Sequence, residues 1–158
     1  MADGFAELES FLTAEMAKLS PARRRRMTRK IGMEIRKANA KRIAENIQPD
    51  GTPMQARKPR RLTAGKGAIK RGRMFRKMRL ARSFKINPSA DGVSVGFEGI
   101  VAHTARAHHY GLADFVGRTE AGRPVRAKYP ERMLLGFASE DLEAVTEIVL
   151  SLLARPIH

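Results

Sequence analysis

Three closely spaced histidines are the first feature of this chain that could bind a metal ion. They are His103, His108 and His109. A helix brings ligands to one face at separations of three or four residues, whereas these histidines are separated by five and by one. Asp114 lies beyond Gly111, where we expect the helix to end, so no nearby carboxylate completes a set. We therefore predict no metal site, and we assign the histidines to packing near a helix C-terminus, where a cation is favourable.

Catalytic chemistry has little support in the residues present. The chain has no cysteine, which excludes a thiol nucleophile, a disulfide scaffold, a cysteine zinc site and an iron–sulfur cluster. No serine lies in a nucleophile-elbow pattern, and Gly65-Lys66-Gly67 lacks the strand and the helix of a phosphate-binding loop. The acidic residues are sparse and form no supported acid–base pair. We therefore predict that the protein is not an enzyme, has no catalytic residue and binds no cofactor.

The charge of the chain is large and unevenly distributed. There are 31 Lys and Arg residues against 16 Asp and Glu residues, and the formal net charge is +15. Residues 18–88 hold 24 of the basic residues and three of the acidic ones, so the remainder of the chain is net negative. A protein this basic attracts polyanions or acidic protein surfaces.

One hypothesis is therefore nucleic-acid binding that does not depend on the base sequence. Arg23-Arg24-Arg25-Arg26 is contiguous, so on a helix these side chains point around the full circumference and cannot form a single face that reads a groove. The chain has no Trp, and the two aromatic residues of the basic region, Phe75 and Phe84, are better explained as core. Non-specific contact with phosphates is the version that these residues permit.

Helical periodicity is clearest at the two ends of the chain. Phe5, Leu8, Leu12, Met16 and Leu19 form one apolar stripe, which predicts a helix over residues 3–19. Ser20-Pro21 then caps a long helix over 21–47. That helix is apolar on two sides, which fits either deep packing or contact with both its own core and a neighbouring chain. A final helix begins after Ser139, and we expect its buried stripe to be Leu142, Val145, Val149 and Leu152.

The middle of the chain predicts a small sheet and two long loops. Alternating residues over 83–87 and 93–98 flank the turn Asp91-Gly92, which predicts an antiparallel hairpin. The other predicted elements are a short helix over 74–80, a helix over 100–110, a buried strand over 133–137, a long basic loop over 50–72 and a second loop over 112–127. This order predicts a single α+β domain over residues 1–158, with a small, mostly antiparallel sheet flanked by amphipathic helices.

The expected compartment follows from two negative observations. The apolar runs are too short for a membrane-spanning helix, and the first residues lack the basic-then-apolar order of a signal peptide. We therefore expect the cytoplasm, or a particle assembled there, with no membrane contact.

Taken in order, three motifs resemble those of a known family. They are Pro49-Asp50-Gly51-Thr52-Pro53, His109-Tyr110-Gly111 and Arg132-Met133-Leu134-Leu135-Gly136-Phe137. With an acidic first helix, a long basic second helix and an acidic last helix, this series resembles the phage virion morphogenesis (tail completion) family of contractile-tailed phages. The resemblance runs from about residue 5 to about residue 154.

The resemblance implies a structural protein with a tail-terminator-like fold. Such a protein caps the tail tube and sheath at the head-proximal end, forms a ring that is usually a hexamer, and allows head–tail joining. The implied partners are other copies of the chain, the tube and sheath proteins, the head–tail connector proteins and, without base reading, the genomic DNA in the channel. The implied location is the virion tail, and the host cytoplasm during assembly. The resemblance fits a component of a phage and a component of a phage-tail-like bacteriocin equally well.

A ring subunit needs two different surfaces that fit each other, because closed rings use heterologous contacts. The basic middle of the chain and its acidic flanks offer such surfaces, and complementary charge would set the register between subunits. The alternative function is a basic, non-specific nucleic-acid-binding protein. The candidate assembly-interface residues are Arg23, Arg24, Arg25, Arg26, Arg57, Lys58, Arg60, Arg61, Arg73, Arg76 and Lys77.

Overall fold

The structure is a computed structural model that describes residues 2–57 and 74–154. Within these residues it has four helices and four strands, and the predicted α+β class is confirmed. The helices are α1 (Ala2–Ala17), α2 (Pro21–Glu45), α3 (Gly99–His109) and α4 (Ser139–Leu153), and the strands are β1 (Phe84–Pro88), β2 (Val93–Phe97), β3 (Ala113–Arg118) and β4 (Pro124–Lys128).

The strands form two separate antiparallel hairpins. The pair β1–β2 is the hairpin that the sequence predicts, and its turn is closed by the Ser89 amide, which donates to the Gly92 carbonyl at 2.8 Å. The pair β3–β4 lies where the sequence predicts a loop over 112–127, so that prediction is wrong. Its turn is built from the Gly122 amide, which donates to the Thr119 carbonyl at 2.9 Å, and Gly122 has a φ of +77°, a left-handed value that glycine adopts without strain.

The chain divides into two compact units. The first consists of Met1–Arg36, Ile86–Val95 and Ser139–His158, and the second of Lys37–Lys85 and Gly96–Ala138, each as far as the structure describes them. The helix α2 and the hairpin β1–β2 both contribute residues to each unit. The prediction of one functional domain over 1–158 is a separate statement about how the chain acts, and it stays a prediction.

In the first unit, the tip of the β1–β2 hairpin packs against α2. A Cβ atom on Gly32 would lie 2.6 Å from a methyl carbon of Val93 and 2.7 Å from one of Ile86, so the close approach requires glycine. One turn earlier on the helix, the buried Thr28 hydroxyl donates to the Ser89 carbonyl at 2.6 Å. Glycine inside a helix is unfavourable by itself, and here the packing of the hairpin compensates for that cost.

The helix termini agree with the capping residues in the sequence. The helix α2 begins at Pro21, and the Arg23 amide donates to the Ser20 hydroxyl oxygen at 3.3 Å, which confirms the predicted cap. The helix α3 ends at His109, and Gly111 follows with a φ of +61°, as expected for a glycine just beyond a helix C-terminus.

The burial of α4 differs from its prediction. Leu142, which we expected in the buried stripe, is 59% exposed, while Val145, Val149 and Leu152 are half-buried. The buried residue of the first turn is Asp141 instead. The apolar residues of α4 therefore lie on two sides of the helix, and one of those sides faces solvent.

Residues 74–80 form consecutive turns rather than the predicted helix. Phe75 has a φ of +57°, a left-handed backbone conformation that is strained for an aromatic residue and interrupts helical geometry. The Ser83 hydroxyl donates to the Lys77 carbonyl at 2.7 Å, which ties these turns to a single 3-10 turn over Ala81–Ser83. Phe75 and Met78 are buried, as the sequence indicated.

The predicted basic loop over 50–72 is described as far as residue 57. Residues 50–53 form a turn and residues 54–57 have no regular helix or strand. The rest of that predicted loop lies outside the described residues. None of the helices in the ranges 2–57 and 74–154 has the length and apolar character needed to cross a bilayer.

Candidate functional site

The three family-like motifs come together in the second unit. The turn over 48–53, residues 108–111 at the end of α3, and the segment 129–137 contain these motifs and are joined by direct hydrogen bonds and ring contacts. We call these three pieces the motif cluster. The pieces are far apart in sequence, since the bond from the Met133 amide to Gln48 Oε1 spans 85 residues.

The turn over 49–53 is held by side chains of its own residues. The Asp50 carboxylate accepts hydrogen bonds from the Thr52 amide at 2.9 Å and from the Thr52 hydroxyl at 2.6 Å. These bonds to the charged form, that of the hydroxyl foremost, lower the pKa of Asp50 below its usual value. Gln48 completes the turn, because its side-chain amide donates to the Thr52 hydroxyl oxygen at 2.9 Å. The carboxylate is therefore engaged in turn structure.

The backbone of segment 132–137 is fixed by hydrogen bonds to side chains, and not by the backbone-to-backbone bonds of a sheet. Its amides at 133, 134 and 136 donate to side chains, and the Arg42 guanidinium donates to the Gly136 carbonyl at 3.1 Å. The side-chain acceptors are Gln48 Oε1 at 2.9 Å, His109 Nδ1 at 3.1 Å and Asn39 Oδ1 at 3.0 Å. Because these amides bond to side chains instead of a neighbouring strand, the prediction of a buried strand over 133–137 is wrong.

Two glycines allow the pieces to approach each other closely. A Cβ atom on Gly136 would lie 2.6 Å from Pro49 Cγ, and one on Gly111 would lie 3.1 Å from the Glu131 amide nitrogen. Gly111 also has the left-handed φ described above, so a side chain there would be strained as well as crowded. The glycines of two motifs are thus explained by contact with other parts of the cluster.

A buried arginine lies at the centre of the cluster. Arg132 is 2% exposed, and its guanidinium donates to the carbonyls of Gln55 at 2.6 Å and Ala56 at 3.3 Å and to His108 Nδ1 at 3.0 Å. It also lies 6.0 Å from the centre of the Phe75 ring. Burial, followed by the like charge of Arg57, lowers the pKa of Arg132. The acceptors that the structure gives this guanidinium are all neutral.

His108 is the neutral partner that this arrangement requires. Its ring lies between Phe75, at a centroid distance of 4.9 Å, and Tyr129, at 4.0 Å. Burial, assisted by the charges of Arg132 and Arg57, lowers the pKa of His108 from about 6.5 to about 4. Burial also lowers the pKa of His109. These histidines pack near a helix C-terminus, as predicted. The expectation that this position favours a cation is wrong for His108 and His109, because their Nδ1 atoms accept hydrogen bonds.

The third histidine has the carboxylate neighbour that we did not expect. His103 Nδ1 lies 3.6 Å from Asp114 Oδ2, because the β3–β4 hairpin turns back towards α3 beyond Gly111. Among the described residues no group of three or more His, Asp or Glu side chains is arranged to hold a metal ion.

The motif cluster presents apolar side chains to solvent from a fixed backbone. In the segment 132–137 the buried Arg132 and Leu134 alternate with Met133, which is exposed, and the segment ends at Phe137, which is 67% exposed. Tyr110, from the second motif, is also exposed, and its ring packs on His109 at 4.7 Å. Each of these three side chains is thus an exposed apolar group on a backbone that buried neighbours hold in place.

The structure places seven of the eleven candidate interface residues. Arg23 and Arg24 are half-buried on α2, and Arg24 lies 3.7 Å from the Asp91 carboxylate, whereas Arg25 and Arg26 are exposed. These four lie in the first unit. Arg57, Arg76 and Lys77 lie in the second unit and are exposed. The other four are outside the described residues: Lys58, Arg60, Arg61 and Arg73.

Arg57 is the candidate that acts on the motif cluster, because its charge lowers the pKa of both His108 and Arg132. Arg132 itself is not among the candidates that the charge distribution indicates. The available signal was an arginine just before the apolar residues 133–135, where a surface cation is out of place.

The comparison with known proteins identifies the class to which this structure belongs. The chain belongs to the phage virion morphogenesis family, whose model matches residues 3–154. The resemblance seen in the three motifs is therefore confirmed over nearly the whole chain.

A curated relative makes the comparison more specific. The chain is 32% identical over 152 residues to tail completion protein S of Escherichia phage P2, and the match covers 96% of this chain and 98% of that protein. No solved structure matches the chain.

Replacement of Arg132 should destabilise the fold strongly. In Arg132→Met the carbonyls of Gln55 and Ala56 and the Nδ1 atom of His108 lose their donor, so the free energy of unfolding should fall by about 3 kcal/mol. Chemical denaturation of the full chain measures this change. The exposed Arg123→Met variant is the matched control, and we expect it to stay within about 0.5 kcal/mol of the unchanged chain. Equal effects of the two variants would contradict the assigned role of Arg132.

The lowered pKa of His108 predicts a pH dependence with a defined sign. The unfolded chain takes up a proton at this histidine below about pH 6.5, while the folded chain does so only at about pH 4. The contribution of His108 to the free energy of unfolding is therefore complete above pH 6.5 and is lost as the pH falls towards 4. Denaturation measured at several pH values should show a smaller slope for His108→Gln. Arg123→Gln, at an exposed position, should keep the original slope, and an unchanged slope in His108→Gln would overturn the assignment.

Proposed function

We propose that this protein completes the head-proximal end of a phage tail. Copies of the chain would form a ring, a hexamer by the resemblance, that caps the tube and sheath and prepares that end for joining to the head. Residues 1–158 would act as one tail completion domain. Membership of the phage virion morphogenesis family and the extended similarity to a tail completion protein support this proposal.

The observation that carries the proposal is the construction of the motif cluster. The three motifs are used to fix a backbone, with the guanidinium of Arg132 and the ring of His108 buried at its centre. What this fixed backbone offers to the outside is a set of apolar side chains. Tyr110, Met133 and Phe137 are therefore the residues that we assign to contact with a tail component.

The mechanism that fits this site is binding by surface complementarity. Asp50 is engaged by Thr52, and the Nδ1 atoms of His108 and His109 accept hydrogen bonds from Arg132 and from the Leu134 amide. Groups held in structural hydrogen bonds are poorly placed for acid–base work. We propose that capping ends the addition of tail subunits and presents a new docking surface to the connector, without a bond being made or broken.

The proposed location and partners follow from this role. The protein would be present in the host cytoplasm during assembly and then in the virion tail. Its partners would be the tube and sheath proteins on one side and the head–tail connector proteins on the other. Where the ring surrounds the channel, its basic residues could meet the phosphates of the genomic DNA without reading bases.

Electron microscopy of tails assembled with and without this chain tests the proposal. Tails made without it should be abnormal in length or should fail to join heads, because the head-proximal end is not capped. Supplying Phe137→Ser and Met133→Ser together should reproduce that defect with the fold intact, since both side chains are exposed. The exposed pair Phe11→Ser and Met33→Ser is the control. Normal tails that join heads in the absence of the chain would refute the proposed function.

A second candidate function, non-specific nucleic-acid binding, is favoured by one surface of α2. Arg25, Arg26, Arg29 and Lys30 are all exposed, and they lie within two turns of the helix in the first unit. No aromatic residue lies among them, which suits phosphate contact better than base stacking.

Salt dependence distinguishes this candidate from ring assembly. The affinity for duplex DNA should fall steeply with added salt, in proportion to the phosphates neutralised, and changing Arg25 and Arg29 to Gln should reduce the slope. A ring held partly by apolar contacts should persist at the salt concentration that releases DNA. Fluorescence anisotropy with unrelated duplexes measures the first effect, and a strong preference for one sequence would contradict both candidates.

A further inference from the structure

The β3–β4 hairpin has two faces of different character. In its register Phe115 pairs with Arg126, Ala113 with Lys128 and Arg118 with Pro124, and paired residues point to the same side. The Arg118 guanidinium lies 6.0 Å from the centre of the Phe115 ring, which places it on that side as well. We call the surface made by Ala113, Phe115, Arg118, Arg126 and Lys128 the basic face of the hairpin.

The opposite side of the hairpin is engaged within the second unit at its Asp114 end, although Val125 on that side is 38% exposed. Asp114 pairs with Ala127 on that side, and its carboxylate lies 3.6 Å from His103 on α3. By contrast, every residue of the basic face is exposed, and Phe115 is 51% exposed. A two-stranded hairpin is only marginally stable in water, so an exposed face with an aromatic residue is a natural place for a partner.

The exposed side of α4 has the complementary chemistry. Leu142, Glu143, Thr146, Glu147 and Leu150 recur at helical spacing and are all exposed, and Leu150 is 54% exposed. We call this surface the acidic face of α4. The Thr146 hydroxyl donates back to the Leu142 carbonyl at 2.8 Å, so the middle of this face presents its methyl group and the two leucines. The helix contains no basic residue at all.

The basic face of the hairpin and the acidic face of α4 have opposite charge, similar length and apolar groups that could contact each other. Leu142 and Leu150 are about 12 Å apart along the helix axis, and the stretch from Lys128 to Pro124 is about 13 Å long. Two glutamates beside two leucines would meet three cations beside one aromatic ring. The exposed basic residues of α2 lack such a ring, so they are the poorer match for α4.

We propose that the basic face of the hairpin of one copy docks on the acidic face of α4 of the next copy. This inference rests on the proposed ring, and it names the two surfaces that would hold the ring together. The two faces belong to different elements of the chain, so the contact is heterologous and adds copies in one direction. The partner is thus a second copy of this chain.

Crosslinking in the cysteine-free chain tests the geometry without background. Ala113→Cys places a thiol on the basic face, and Thr146→Cys places one on the acidic face. Oxidation of a mixture of the two full-length variants, at concentrations where the chain self-associates, should give disulfide-linked dimers that neither variant forms alone. The exposed Ser94→Cys on β2 is the control, and its mixture with Thr146→Cys should give none. Dimers from either single variant alone would overturn the proposal, because they would indicate a symmetric contact.

Charge exchange tests the energetic part of the proposal. The pair Glu143→Lys and Glu147→Lys, or the pair Arg126→Glu and Lys128→Glu, should weaken self-association by about tenfold or more, and mixing the two doubly changed chains should restore it. Analytical ultracentrifugation measures association, and circular dichroism checks that each variant is folded. The pair Glu7→Lys and Glu9→Lys on α1 is the control and should have little effect. Failure of the mixture to recover association would overturn the proposal.

The two proposals can fail separately. If tails form and join heads normally with both charge-exchanged variants, each supplied alone, the hairpin–α4 contact is wrong while tail completion stands. If tails are normal with no chain supplied, the proposed function itself is wrong, whatever the crosslinks show. Crosslinking of Ala113→Cys to a tube or sheath protein, instead of to another copy, would also overturn the inference.

Discussion

The second unit depends on the satisfaction of one buried cation. A guanidinium at 2% exposure must find acceptors, and Arg132 finds them on the irregular stretch after the 49–53 turn and on the last turn of α3. Because Arg132 donates a hydrogen bond to the Nδ1 atom of His108, that ring must stay neutral. The burial of the ring between Phe75 and Tyr129 disfavours its charged form. One residue thus couples three distant parts of the sequence, and none of them can move far without leaving a buried polar group unpaired.

The positive charge of the chain therefore has two different roles. Arg132 and Arg42 bond to backbone carbonyls within the fold, where they act as hydrogen-bond donors. Arg25, Arg26, Arg126 and Lys128 remain exposed and act as surface charge. The formal charge alone cannot separate these roles, because it counts a structural arginine and a surface arginine equally. If the protein assembles as proposed, the first kind would hold the binding surface in place and the second would select the partner.

Much of the fold was accessible from the sequence because its signals are local. The start of α2 at Ser20-Pro21, the end of α3 before Gly111 and the turn of the first hairpin at Asp91-Gly92 each depend on neighbouring residues. The second hairpin was missed because its register shifts between Phe115 and Gly117, so that Val116 breaks the alternation that marks a strand. The segment 133–137 was misassigned for the opposite reason. Its apolar pattern is that of a strand, but the acceptors of its amides lie 25 to 97 residues away in the sequence.

The three motifs of the candidate site can be recognised from their order in the sequence. Their spacing along the chain does not show that they contact each other, because that depends on tertiary contacts such as the one between Pro49 and Gly136. That contact has a genetic consequence. The proline ring occupies the space that any side chain at position 136 would need, so drift at either position is limited by the other. Among descendants of this sequence, a larger residue at 136 should be tolerated only in lineages that have first lost the ring at 49.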